Sequence, residues 1–382
     1  MKKAAAILLL IIILLVPTLT TANDAQGGYN YNSDDLLEPV MARAKIIDML
    51  YEGEGDYGFV HQLFAAEILT GPFKGETVLV ENAFSGNPAM DMIINPGDKV
   101  ILAMEVIDNQ ITAAYPQDFY REFHIYLLTG IFILVILVIG QLKGLKAIIA
   151  LGITILLIAK VMLPAMLKGY DPLMLAIIIS VIVTTITLVT IGGLTAKTLA
   201  AILGTTGGVL VAAFISVWIG HAAKLTGLSG QDAQMLMYIA DNVGFNFKNL
   251  LFAGIIIGAL GAVMDVSISI ASAMEEVKCN NPSISRTRLI QSGMNVGKDI
   301  MGTMTNTLIL AYTGASIPLL LLFLAYEQSY LKIVNMDFIA TEFVRSLSGS
   351  IGLIFTIPIT ALVSAALTRT SSSRKSSKET TM

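Results

Sequence analysis

Charge is scarce in this chain. Asp, Glu, Lys and Arg make up 14% of its 382 residues, hydrophobic residues make up 55%, and the mean hydropathy is +0.74. Such values exclude an ordinary soluble globule and point to a polytopic membrane protein. Cysteine is almost missing: the lone Cys279 rules out an internal disulfide framework and any CxxC metal or redox centre. Three scattered histidines, His61, His124 and His221, make no zinc signature. Most enzymatic readings fall with them. There is no HExxH, no Ser–His pair within an apolar segment, and no second carboxylate at membrane depth to share a proton as aspartyl proteases require. The run Gly204-Thr205-Thr206-Gly207-Gly208 lacks the GK[ST] ending of a phosphate-binding loop. No cofactor or metal is called for, and no basic, aromatic-rich surface suggests nucleic acid.

The charge that remains is unevenly spread. Between Asn23 and Glu122 there are 17 acidic and five basic residues, against 11 acidic and 19 basic elsewhere. Lys2 and Lys3 precede the apolar run Ala4 to Val16, and Thr20-Thr21-Ala22 offers a cleavage site, so residues 1–22 read as a signal peptide or an anchor. Seven apolar segments follow: Phe123–Gly140, Leu145–Leu163, Pro172–Leu194, Thr198–Gly220, Leu250–Met274, Thr303–Ala325 and Ser346–Leu367. A spanning helix needs roughly 20 apolar residues. An outside position for residues 23–122 puts eleven Lys and Arg on cytoplasmic segments and five on external loops, in accord with the positive-inside rule, and leaves the C-terminus cytoplasmic. Lys160 falls near an outer helix end, from which it can snorkel. The division is a 23–39 linker, a 40–116 external domain, a 123–367 seven-helix region and a disordered 368–382 tail.

The external domain reads as β. Met41–Leu50, Val60–Leu69, Thr77–Asn82, Lys99–Val106 and Asn109–Ala114 are short apolar runs separated by turn-rich pieces such as Thr70-Gly71-Pro72 and Asn95-Pro96-Gly97-Asp98. Four strands, or five with Asn109–Ala114, suit a small closed barrel of the OB or SH3-like kind in this length. Its acidic excess fits ordinary solubility, with a basic protein partner as the alternative.

The chemistry concentrates on two helices. Asp265 precedes Glu275 by ten residues, which puts it ~15 Å from that helix end and close to mid-bilayer. A charge there costs at least ~2.5 kcal/mol. At 100° per residue, Gly254, Gly258, Gly261, Asp265, Ser269, Ser272 and Glu276 share one face. The next segment carries a matching stripe of Asp299, Thr303, Asn306 and Thr313. Antiparallel neighbours with such stripes are expected to turn them toward each other, forming a seam in which Asp265 meets Asn306. Polar glue between helices is one reading of that seam. A hydrated path for a small polar solute, cation or proton is the other, since carboxylate, hydroxyl and amide oxygens suit hard cations. Breaks expected at Thr313-Gly314-Ala315-Ser316-Ile317-Pro318 and Thr356-Ile357-Pro358 add freed carbonyls. The Gly204–Gly208 run is read either as close packing or as an unwound turn lining a cavity.

The motifs Gly261-Ala-Val-Met-Asp265-Val-Ser-Ile-Ser269-Ile-Ala-Ser272 and Gly297-Lys-Asp299-Ile-Met-Gly302-Thr-Met-Thr-Asn306-Thr-Leu-Ile-Leu-Ala-Tyr312 resemble the YibE/F-like family of bacterial multipass membrane proteins. Leu69-Thr-Gly71-Pro-Phe-Lys-Gly75 and Pro96-Gly97-Asp98-Lys-Val100 are similar to it as well. The resemblance implies an integral plasma-membrane protein, with no substrate, mechanism or catalytic residue attached. The expected function is that of a permease. The alternative is a scaffold or signalling protein whose external domain binds a partner.

Overall fold

The computed structural model describes residues 39–54, 60–239 and 244–379. The signal segment 1–22 and the linker up to residue 38 lie outside the described residues. The chain forms two compact units that meet in sequence at Val135 and Ile136.

The first unit is built on strands β1 (Val40–Glu54), β2 (Val60–Ile68), β3 (Thr77–Ala83), β4 (Lys99–Ile107) and β5 (Gln110–Phe119). All five expected strands are present, in the order β3-β2-β1-β4-β5 with antiparallel neighbours. β3 and β5, at the two edges, approach each other and nearly close the sheet into a barrel. The long central β1 pairs with β2 on one side and β4 on the other, and irregularities at Ile46/Asp48 and Met49/Tyr51 bend it. Extra residues of this kind sharpen the twist that closure needs. Alternation does the rest: Ala42, Ala44 and Ile46 of β1, Phe64, Ala66 and Ile68 of β2 and Val100, Leu102 and Met104 of β4 all point inward and are buried. Asp108 and Asn109 take φ of 49° and 60°, as a two-residue hairpin between Ile107 and Gln110 requires.

The second unit is helical, and we number helices through both units in chain order. α1 (Glu122–Leu157) begins in the first unit and is prolonged by a π-helical turn, Ile158–Met162, and by Leu163–Leu167. Then come α2 (Pro172–Gly192), α3 (Ala196–Ala222), α4 (Gln231–Ile239), α5 (Phe247–Asn280), α6 (Arg286–Ala315), α7 (Ile317–Ala325), α8 (Tyr330–Val334) and α9 (Asp337–Glu379). Starts are capped as their sequences suggest: Asp171 accepts from the Met174 N–H, Thr195 from Thr198, Asn246 from Asn249 and Ser285 from Arg288. α5 is the centre, packed against α2, α3, α6 and α9.

Every expected apolar segment is helical, but the count differs. Among the described residues five helices are long and apolar enough to cross a membrane, or six if α6 and α7 form one bent span. The first two expected segments fall within one 46-residue stretch, Glu122–Leu167, in which Gln141 leaves the helical region (φ 47°, ψ −126°). α6 and α7 bend by 58° at the expected break, where Pro318 withholds an N–H in the first turn of α7. The other expected break does not form, since α9 runs through Pro358. Its backbone also stays helical to Glu379, across most of the tail expected to be disordered. Extending an existing helix costs far less than starting one.

Replacing Phe64, which is fully buried in the β core, by Ala is expected to destabilise the sheet by ~3–5 kcal/mol. Hydrogen exchange of the β1–β5 amides in the full-length chain measures the loss.

Candidate functional site

α5 is apolar on all sides but one. Phe252, Ile256, Ala259, Val263, Val266, Ile270 and Met274 are buried among the surrounding helices. At its start the Asn249 amide donates to Asp171 of α2 at 2.5 Å. At its far end Glu275 pairs with Lys197 of α3 at 2.8 Å. The helix is thereby fixed at both ends with one face left over.

That face is the stripe expected from sequence. Gly254, Gly258, Gly261, Asp265, Ser269 and Glu276 are exposed on the surface of the chain, and Ser272 is half-buried. A Cβ built at Gly254 or Gly261 would meet nothing within 4 Å, while one at Gly258 would lie 2.6 Å from the Tyr312 hydroxyl. Glu276 accepts a hydrogen bond from the Asn280 amide at 3.0 Å. On α6, Asp299, Thr303, Asn306 and Thr313 are likewise exposed, while Leu289, Gly293, Gly297 and Leu308 on the opposite side are buried. Tyr312 against Gly258 and Gly293 against Met274 set the antiparallel register. Interpolating between them puts Asp265 at about the depth of Thr303.

The two stripes thus keep company in depth but do not meet. Among the described residues no hydrogen bond joins Asp265 to Asn306, and the hydroxyl of Thr303 donates instead to the Ile300 carbonyl of its own helix at 2.9 Å. The reason is packing. α6 turns Gly293, Gly297 and Leu308 toward the bundle, and on a helix the side opposite such a face must point outward.

The polar contact inside the bundle lies elsewhere, between α3, α5 and α9. Thr205 and Ser267 share a hydrogen bond of 2.6 Å, both fully buried. Thr356 donates to the Gly352 carbonyl at 3.0 Å, and the buried Thr360 hydroxyl has no hydrogen-bond partner among the described residues. Gly204 and Gly208 lie directly against Thr360 and Thr356. A Cβ at Gly352 would come within 2.7 Å of both Ala212 and the Gly208 carbonyl. α3 is unbroken through Gly204–Gly208, so of the two readings of this run the structure has close packing. Ser267 was missed because it sits away from the Asp265 face. The signal that could have found it was the match between Gly204-x-x-x-Gly208 and the small residues Gly349, Gly352 and Thr356.

A cleft of ≈ 600 Å³ in the β unit is lined by Asp98, Lys99, Tyr120, Arg121, Phe123 and His124, among others. Two arginines at or beside it are already engaged: Arg121 pairs with Asp118, and Arg43 with Glu122 at 2.5 Å. The Arg121 guanidinium and the Phe119 N–H hold the Asp118 carboxyl below the usual carboxylate range. Among the described residues no three of His, Cys, Asp and Glu gather closely enough to hold a metal ion.

Long apolar helices around a buried hydroxyl contact, joined to a small barrel-like sheet, define a multipass membrane protein with an appended β domain. A family described as YibE/F-like protein matches residues 128–370, and its N-terminal domain, the YibE/F family N-terminal domain, matches residues 54–118. The chain belongs to the YibE/F-like family. No curated protein and no solved structure matches it.

Substituting Gly208 by Val, which drives a side chain into Thr356 and the Gly352 backbone, is expected to cost at least ~1–3 kcal/mol. Gly302→Ala, at a position with open space, should leave stability unchanged or slightly raised. Thermal unfolding of the two variants in detergent compares them.

Proposed function

We propose that this protein is a permease of the bacterial plasma membrane for a small polar solute, cation or proton, with Asp265 as the acid group of its path. The observation that carries the reading is the outward face of α5. It has a carboxylate near mid-helix and no exposed large apolar side chain along its length. Hydrocarbon is a poor neighbour for such a face, and water or a polar cargo is a good one. Ser269 and Ser272 supply further oxygen ligands along the α5 face, while Asp299, Thr303 and Asn306 line a separate outward face of α6. The bend at Ser316 adds backbone carbonyls of the kind from which transport sites are built. The oxygen-rich set favours carriage of a hard ion or polar solute over hydrolytic chemistry.

The topology we favour has seven crossings, with the β domain outside and the C-terminus in the cytoplasm. Support comes from Gln141 and from Gly144, whose absent side chain leaves room for the Ile136 carbonyl. Eight residues apart on a straight helix, these two would be separated by ~12 Å. The close approach of Gly144 to Ile136 supports a reversal of the chain near Gln141, which would give Glu122–Leu167 two crossings.

Asp265→Asn removes the titratable group and keeps the shape. In full-length protein reconstituted into vesicles loaded with a pH-sensitive dye, it should slow proton or proton-coupled cation flux at least about tenfold, a barrier increase of ~1.4 kcal/mol. Undiminished flux would exclude Asp265 from the path.

A second reading, a scaffold or signalling protein whose external domain binds a partner, is favoured by Met90 and Ile93. They are 77% and 71% exposed on the segment between β3 and β4. Deleting residues 23–115 while keeping the helices separates the two: a permease should retain flux, whereas a scaffold should lose its partner.

A further inference from the structure

Basic residues are few in the β unit, and they keep together. Of the five Lys and Arg between residues 23 and 122, four gather where β1, β4 and the start of α1 meet: Arg43, Lys45, Lys99 and Arg121. The β1–β4 register sets Lys45 directly opposite Lys99. Their neighbours Ala44, Ile46 and Val100 are buried, so alternation puts both ammonium groups on the outer face of the sheet. The Tyr120 N–H donates to the Lys99 carbonyl at 2.9 Å, which brings Arg121 and the first turn of α1 alongside. The Arg43 guanidinium lies 4.9 Å from the centre of the Tyr120 ring.

Two of the four cations are neutralised and two are not. Arg43 pairs with Glu122, and Arg121 with Asp118. Asp98 turns one carboxylate oxygen to the Asn95 N–H. Glu67 stands opposite Lys45 on the β2 side, yet among the described residues no carboxylate forms an ion pair with Lys45 or Lys99. Like charges directly opposite on neighbouring strands are destabilising. The pair calls for an anion that the chain does not supply.

Where the pair sits is a separate observation. The cleft of ≈ 600 Å³ beside Lys99 is walled by Phe119, Tyr120 and Arg121 and, from α1, by Phe123 and His124. α1 opens Glu122–Leu167, the first stretch long and apolar enough to cross a membrane, so its first turn holds the cleft at the level of membrane entry. Further along the same helix Ile125, Leu127 and Leu128 are exposed and suit acyl chains. Tyr120 and Tyr126 bracket the boundary at which tyrosine collects.

We infer that this cleft seats the head group of an anionic phospholipid from the leaflet on the side of the β domain, with the phosphate at Lys99 and Lys45 beside it. An ammonium donates several hydrogen bonds and suits phosphate as a point charge. A negatively charged bilayer surface attracts basic groups lying within a Debye length of it. Dissolved phosphate shares the oxygen chemistry, but the aromatic wall and the apolar surface of α1 below it offer that ion nothing, whereas they fit a glycerol backbone and its chains. The site is independent of the permease reading and needs only that α1 enters the membrane at its start.

Hydrogen exchange of the full-length protein tests this, in nanodiscs of phosphatidylcholine alone or of phosphatidylcholine with phosphatidylglycerol. Phosphatidylglycerol is expected to slow exchange of the amides of 97–101 and 119–125 at least about threefold, and to leave those of β2 unchanged. Lys45→Gln with Lys99→Gln should abolish the slowing while keeping the exchange pattern seen in phosphatidylcholine, and Lys45→Arg with Lys99→Arg should restore it. Lys74→Gln, which removes the one basic residue of the unit outside this cluster, should leave the response intact. Absence of slowing overturns the inference, as does slowing that survives the double Gln variant or is lost equally in Lys74→Gln. Equal slowing by inorganic phosphate added to phosphatidylcholine nanodiscs assigns the cleft to a soluble anion and overturns the lipid.

Discussion

Close approach of helix backbones is the constraint from which the helical unit follows. Gly204 and Gly208 of α3 sit directly on Thr360 and Thr356 of α9, and Gly352 of α9 sits against Ala212 and the Gly208 carbonyl. In lipid there is little hydrophobic gain from bringing helices together, so van der Waals fit and a few buried hydrogen bonds must hold them. The Thr205–Ser267 bond brings α5 into the same contact. With α3 and α9 locked in this way, and α2 and α6 alongside, three sides of α5 are enclosed and one is not.

Where polar groups end up is a consequence of that enclosure. Hydroxyls tolerate burial because they can bond a carbonyl one turn away, as Thr356 does with Gly352 and Ser350 with Ser346. A carboxylate has no such local partner within a helix, and Asp265 occupies the face that the bundle leaves open. The chain thus sorts its intramembrane polarity into two kinds: neutral hydroxyls that fasten helices from within, and an outward stripe with ionisable and small residues. Only the second kind presents chemistry to anything other than the protein itself.

Much of this was legible beforehand. Strand positions in the β unit could be read to within a few residues, because period-two alternation and Pro-Gly or Gly-Pro turns leave little freedom in short segments. The two stripes on α5 and α6 were legible for a similar reason, since angular position on a helix is simple arithmetic. Span counting was less secure. The polar Gln141-Leu142-Lys143-Gly144 marks an interruption between two apolar segments, and Gln141 does leave the helical region there, but the change of direction at such a short break is not written in composition. Pro358 and Pro318 look alike in sequence, yet α9 continues through the first, packed there against α3 and α6, while the second stands at the 58° break between α6 and α7.

The sequence by itself determined that the chain is a multipass membrane protein with a β domain before it, and which residues share a helical face, because hydropathy and periodicity are properties of local order. Tertiary structure decided which way each face points. The polar stripes of α5 and α6 face away from the core, and the glycine run of α3 faces in. That choice depends on which helix surfaces fit together most closely, a comparison among distant segments that no single stretch of sequence contains.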